Sequence, residues 1–235
     1  QNFNKAKIDD LPAVGFYMEK GADGVFGAGD YILFYAQGTT SWAYNGTQFI
    51  HTRNPYSDYG YYFLTDNGGT QNLLPTANAI DGSGGTAADT YTNYQIHEQD
   101  LLNLLDRESG VDGGGREFYG ESFSSTTPNR TFSFTTPDVV VSAPVRIRSE
   151  VAAASSSSSR FTLGLNGGSN TLRLDSIPVS DFYTKGALAV FNKDYTANGN
   201  THHVVLSFSN SASGAAGYLN YIELSATCRL SITGS

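Results

Sequence analysis

The sequence predicts a mainly β protein, with a β-rich N-terminal lobe over residues 1–115 followed by a jelly-roll-like β-sandwich over residues 116–235. Three observations carry this. From Arg116 onward, short apolar-alternating runs recur, separated by Ser, Asn and Gly turns. The stock of 26 Gly, 15 Tyr and 14 Phe against one Met and one Trp favours strands and turns over helices. Only 15% of residues are charged, so polarity comes from Ser, Thr and Asn instead, a composition that leans towards an exported β protein.

In the first lobe, Val14, Phe16 and Met18 alternate as in a half-buried strand. Gly21-Ala22-Asp23-Gly24 and Gly27-Ala28-Gly29-Asp30 supply turns. Tyr31–Tyr35 is apolar without alternation, which predicts a strand covered on both faces. Asn45-Gly46 between Ser41–Tyr44 and Gln48–His51 marks a hairpin. Tyr59, Tyr61 and Phe63 alternate with Gly60, Tyr62 and Leu64, the pattern of another strand. Residues 66–93 read as loop. The chain's one helix is predicted over 94–107, with Ile96, Leu101, Leu104 and Leu105 on one face and Gly110 as its stop, although an extended form fits 94–105 as well. In the second lobe, strands are read at Thr131–Thr136, Val145–Ala154, Arg160–Leu165, Thr171–Leu174, Leu188–Phe191, His203–Phe208 and Tyr218–Leu224.

Composition excludes several functions. A formal charge of −8 argues against a nucleic-acid binder, and no apolar run is long enough for a spanning helix. Cys228 is the sole cysteine, so no internal disulfide forms. Gln1-Asn2-Phe3-Asn4-Lys5 carries neither an initiator Met nor a signal core and reads as the start of a processed or excised piece.

Candidate chemistry is sparse. Asp81-Gly82-Ser83-Gly84-Gly85 has the serine-protease loop's composition with Asp and Gly exchanged, and no triad assembles around it. His97-Glu98 starts a zinc-helix motif, but position 101 is leucine where a second histidine is needed. His202-His203 point to opposite faces of a strand and cannot share a metal. Asp23 and Asp30 read as turn residues, and Cys228 as structural. No phosphate cradle or dinucleotide fingerprint is present, so no cofactor is expected. What stands out is an aromatic set, Trp42, Tyr44, Tyr56, Tyr59 and Tyr61 with Tyr62. Aromatic rings in alternating strands more often belong to a core; on an exposed face they form a surface for protein or for sugar.

Four strings resemble the N-terminal region of the gingipain-related cysteine peptidases of Bacteroidetes, in particular the type IX secretion sortases. The first is Asp23-Gly24-Val25-Phe26 with Gly29-Asp30-Tyr31-Ile32-Leu33-Phe34-Tyr35, then Trp42 and Tyr44. The second is Asn54-Pro55-Tyr56-Ser57-Asp58 leading into Tyr61-Tyr62-Phe63-Leu64. The third is Glu98, Asp100 and Asn103-Leu104-Leu105, then Gly115-Arg116-Glu117-Phe118-Tyr119-Gly120-Glu121. The fourth is Leu219-Asn220-Tyr221-Ile222-Glu223-Leu224. Residues 66–93 and Val111–Gly114 depart from the pattern.

The resemblance implies an exported protein of the periplasm or outer-membrane surface. Its relatives use a Cys/His dyad to remove the C-terminal signal domain of cargo and attach the cargo to lipopolysaccharide. That dyad lies downstream of the matched region, so no residue here inherits a catalytic role. The expected partners are the downstream peptidase domain of the same polypeptide and cargo or secretion proteins. A carbohydrate-binding module, with glycan as ligand, is the alternative.

Overall fold

The computed structural model describes residues 11–66, 70–75, 77, 85–101, 103, 117–178, 180–181 and 184–231. Among these, every regular element is a strand, thirteen in all, and no helix is long and apolar enough to cross a membrane. The chain divides into two units, residues 1–85 and 86–235.

The first unit holds two hairpins. Strands β1 (Phe16–Glu19) and β2 (Tyr31–Phe34) pair antiparallel, as do β3 (Thr40–Tyr44) and β4 (Phe49–Arg53). Asn45 closes the second hairpin as expected, its side-chain oxygen accepting the Thr47 and Gln48 amides while Gly46 takes a φ of 91°. Residues 72–74 run beside β1: the Phe16 amide donates to Asn72 O, and the Leu74 amide to Phe16 O.

Two expectations fail in this unit. Tyr31, Leu33 and Phe34 are exposed rather than covered, because among the described residues β2 pairs with β1 alone. Residues 59–64 form no strand. Asn54 Oδ1 accepts the Tyr56 amide, and Ser57 Oγ accepts that of Tyr59, so local side chains compete with any ladder.

The second unit is the sandwich. Its strands are β5 (Thr90–Glu98), β6 (Glu121–Phe123), β7 (Asn129–Thr135), β8 (Pro144–Ala154), β9 (Ser159–Leu165), β10 (Gly168–Leu174), β11 (Ala187–Thr196), β12 (Thr201–Ser209) and β13 (Ala216–Arg229). One sheet runs β11-β8-β13-β5 with β6 also on β13, and the other runs β10-β9-β12-β7. From β6 to β13 this is the jelly-roll order the strand spacing predicted.

The core comes from alternate residues of both sheets. Val145, Ile147 and Val151 of β8 and Leu219, Ile222 and Leu224 of β13 face Phe161 and Leu163 of β9 and Val204, Leu206 and Phe208 of β12. Each such side chain contributes about 1.5–3 kcal/mol by leaving water. The β9–β10 link is a two-residue turn, Asn166-Gly167, with φ of 52° and 84°. Both values are positive, as a type I′ hairpin requires.

The predicted helix is corrected here. Residues 94–98 belong to β5, whose full length pairs antiparallel with β13 from Thr90↔Arg229 to Glu98↔Tyr221. Leu104 and Leu105, the apolar pair that suggested the helix face, lie outside the described residues. The same pairing puts residues 86–98 in the second unit, whereas the sequence assigned them to the N-terminal lobe.

Strands β5 and β6 occupy one flank of β13 in line, β5 beside Tyr221–Arg229 and β6 beside Gly217–Leu219. They are two halves of one edge strand. The chain leaves it after Glu98 and returns at Glu121, opposite the β8–β13 register shift between Leu219 and Tyr221. The two ends of the excursion are pressed together at Gly120, where an added Cβ would lie 2.3 Å from Gln99 Cβ and 2.6 Å from its carbonyl oxygen. Only glycine fits there.

Candidate binding surfaces

The aromatic residues singled out from the sequence all lie in the first unit. Among its described residues no apolar side chain is buried; only Gln48 and His51 are. Trp42 and Tyr44 share one face of β3 because residues two apart on a strand do. The register sets Trp42 against His51 and Tyr44 against Phe49, with ring centroids 6.1 and 5.1 Å apart. The structure thus brings together Trp42 and Tyr44 of the predicted set, with His51 and Phe49 as their cross-strand neighbours.

Tyr56, Tyr59 and Tyr61 follow on irregular chain and are well exposed, Tyr61 at 77%. The Arg53–Asp58 ion pair of 2.9 Å braces the start of this segment. Tyr62 anchors its far side: its ring lies 5.2 Å from Phe34, and its hydroxyl accepts the Gln37 amide at 2.6 Å. Phe63 and Leu64 then stand open to solvent. The described part of this unit therefore exposes many aromatic rings, Tyr56, Tyr59 and Tyr61 among them.

The second unit carries a polar cluster that sequence reasoning missed. On the face of the β8–β13–β5 sheet opposite the core, Arg148 Nη1 donates to Glu223 Oε2 at 2.7 Å, and the Tyr94 hydroxyl donates to Glu223 Oε1 at 2.6 Å. The guanidinium carbon sits 4.9 Å over the Tyr221 ring. Glu223 is only 2% exposed. Burial, then the bond to Glu223, pushes the Tyr94 phenol far above its ordinary range. On the same face Arg146 grips Asp194 through two bonds of 2.7 and 2.9 Å, which lowers the Asp194 pKa. The only available signal was charge at alternate positions of apolar strands, which reads simply as a solvated face.

The remaining sequence candidates resolve structurally. His97 pairs with Glu121 at 2.6 Å and lies 4.7 Å from the Phe132 ring. It lines a groove of about 370 Å³ with Gln95, Phe132 and Phe134, between the two edge strands β5 and β7. His202 is buried against Thr136 Oγ1 at 2.8 Å, and His203 is exposed, so the adjacent pair does split across the sheet. Cys228 is buried, and burial raises its thiol pKa. Asp81 and Ser83 lie outside the described residues.

No family model and no curated protein matches the chain. Among solved structures, the crystal structure of dimeric latent PorU from Porphyromonas gingivalis superposes with a TM-score of 0.69 and 26% identity over 97% of this chain. The chain is similar to PorU. It spans 20% of that protein's length. Two carbohydrate-binding structures match less well. A CBM36 module in complex with calcium and xylotriose gives a TM-score of 0.32 and 10% identity over 58% of this chain and 99% of its own. The CBM36-1 domain of a multidomain xylanase from the hindgut metagenome of Trinervitermes trinervoides gives 0.34 and 11% over 61% and 100%. At that level neither carries an argument, whereas the PorU match extends over both units.

Proposed function

We propose that this chain is the non-catalytic N-terminal segment of a PorU-like, gingipain-related sortase exported to the bacterial surface. In this reading it supports the peptidase domain of its own polypeptide or docks cargo and secretion partners, and the catalytic Cys and His lie in that downstream domain. The observation that carries it is the PorU likeness over 97% of the chain at 26% identity. The exposed rings of Tyr56, Tyr59 and Tyr61, with Trp42 and Tyr44, are the proposed docking surface.

The test is co-purification of the chain with the peptidase portion and with cargo signal domains. The triple substitution Tyr56→Ala, Tyr59→Ala and Tyr61→Ala should abolish capture while leaving the melting temperature in place, since exposed substitutions change stability by only about 0.5 kcal/mol each. Capture by the triple variant equal to wild type would sink the docking role.

A carbohydrate-binding module is the second reading. It rests on the jelly-roll topology and on two aromatic rings, Trp42 and Tyr44, side by side on one hairpin face. Calorimetry against a glycan panel decides between them: heat of binding lost in Trp42→Ala favours the module, and no binding across the panel removes it.

A further inference from the structure

Four Asn-Gly pairs occur in the chain, and three of them lie on described residues: Asn45-Gly46, Asn166-Gly167 and Asn198-Gly199. In such a pair the backbone nitrogen of glycine can attack the side-chain amide before it, because no Cβ stands in the way. All three asparagines are exposed, so access of water does not separate them. Hydrogen bonding does. Asn45 Oδ1 accepts the Thr47 and Gln48 amides, both at 3.0 Å, and bringing its Cγ to another nitrogen breaks both bonds. Asn166 Nδ2, the nitrogen that would have to leave, donates to Thr196 O at 2.8 Å, and a φ of 52° fixes the residue in its turn. Asn198 has neither restraint: among the described residues its side chain makes no hydrogen bond, and the Gly199 amide donates none.

The place of this pair in the fold gives the reaction a consequence. Residues 197–200 carry the chain from β11 in one sheet to β12 in the other. On one side Ala197 is sealed in the core at 5% exposure. On the other, the Asn200 carbonyl accepts the Thr136 amide at 2.8 Å and Asn200 Oδ1 accepts the Val139 amide at 3.1 Å. Only Asn198 and Gly199 span the two anchors, so an extra main-chain atom would fall between fixed points.

We propose that Asn198-Gly199 is a self-modification site, at which the folded chain converts asparagine to aspartate and isoaspartate and so loosens its own sheet crossing. The Gly199 nitrogen bonds to Asn198 Cγ, the Cγ–Nδ2 bond breaks, and the proton of that nitrogen departs with the side-chain nitrogen as ammonia. Water, the sole co-reactant, then opens the cyclic imide. Opening at Cγ gives aspartate, whereas opening at the main-chain carbonyl gives isoaspartate, whose backbone runs through Cβ and Cγ. Both products carry a new carboxylate, but isoaspartate alone lengthens the main chain. This inference does not depend on the likeness to PorU.

The test is ageing of the full 235-residue chain in mildly alkaline oxygen-18 water, then proteolysis and mass-spectrometric reading of each Asn-Gly pair. A net hydrogen bond is worth about two- to tenfold in rate, so Asn198 should react at least about fivefold faster than Asn45 and about twofold faster than Asn166. In urea, with the restraints gone, the three rates should converge. Aged wild type, separated from unreacted chain by ion exchange, should melt about 2–4 °C below fresh Asn198→Asp, the result of losing one Asn200 bond. Asn198→Gln, aged alike, should take up no label at this position and show no such fall. The proposal is overturned if Asn198 reacts no faster than Asn45 and Asn166 in the folded chain. It is equally overturned if the same order persists in urea, or if aged wild type melts with fresh Asn198→Asp.

Discussion

The buried pair of Arg148 and Glu223 sets the largest single-residue effect expected in the sandwich. Arg148→Ala takes the guanidinium from the Glu223 carboxylate, which is 2% exposed and also accepts from the Tyr94 hydroxyl. Removing one partner of a buried ion pair costs about 3–5 kcal/mol, because the other charge stays desolvated. For a unit of this size the melting temperature should fall by on the order of 10 °C. Glu223→Gln should cost less, about 1–3 kcal/mol. It keeps a hydrogen-bonding group against Tyr94, and the Arg148 side chain it deserts is 20% exposed and still rests on the Tyr221 ring. The double variant Arg148→Met with Glu223→Leu should recover most of the loss, since apolar packing replaces two desolvated charges. Urea unfolding followed by circular dichroism measures this on wild type, Arg148→Ala, Glu223→Gln and the combined Arg148→Ala, Glu223→Gln variant, whose cycle gives the coupling, with the Met and Leu double variant alongside. An Arg148→Ala loss below about 1 kcal/mol, with coupling near zero, would show that the pair behaves as a solvated surface bridge, and the burial argument would fail.

Three further outcomes are expected. Gly120→Ala should destabilise by about 1–3 kcal/mol in denaturant melts, because its Cβ would meet the Gln99 backbone rather than a side-chain tip that could move. Burial, then His203, lowers the His202 pKa in the folded state. The unfolded chain therefore binds the proton first, and this contribution is present above about pH 6.5 and lost as pH falls, by up to about 1.4 kcal/mol per unit. Melts at pH 7 and pH 5 should show that decline in wild type and a shallower one in His202→Gln. Produced separately, residues 86–235 should melt cooperatively, and residues 1–85 should show no cooperative transition, since their described part buries no apolar side chain.

The sandwich was legible where side-chain alternation and burial agree. In β7 the rings of Phe132 and Phe134 are buried while Thr131, Ser133 and Thr135 are exposed, so a period of two identifies both strand and face. The Asn166-Gly167 turn likewise declared its hairpin. Strand β5 was not legible because it inverts the rule. Its register aligns Gln95 and His97 with the core residues Leu224 and Ile222, and Tyr94 and Ile96 with Ser225 and Glu223. Polar side chains therefore line the open edge of the sandwich, and apolar ones lie on the outer face. Only pairing with a strand more than a hundred residues away fixes that arrangement, and no local period records it. Glu223 was missed for a related reason: a carboxylate at an outward position reads as hydrated, and its burial depends on neighbours brought in by other strands. Of the aromatic set, the hairpin register united Trp42 with Tyr44. The turn bonds of Asn54 and Ser57 took Tyr56, Tyr59 and Tyr61 out of any strand.

The split edge strand links these features. An insertion into a central strand would break ladders on two sides, whereas one between β5 and β6 interrupts pairing with β13 alone. The bulge at Asn220 absorbs the mismatch, since one extra residue on β13 stands opposite the point where the chain departs and returns. Ser149 supports the distortion from the core side, its hydroxyl donating to the Tyr221 carbonyl at 2.8 Å. The bulged residue is left without a ladder partner of its own, which frees the Asn220 side chain to lie between Glu150 and Glu117. The irregularity that lets the sheet tolerate residues 99–120 is therefore the same one that gathers the carboxylates.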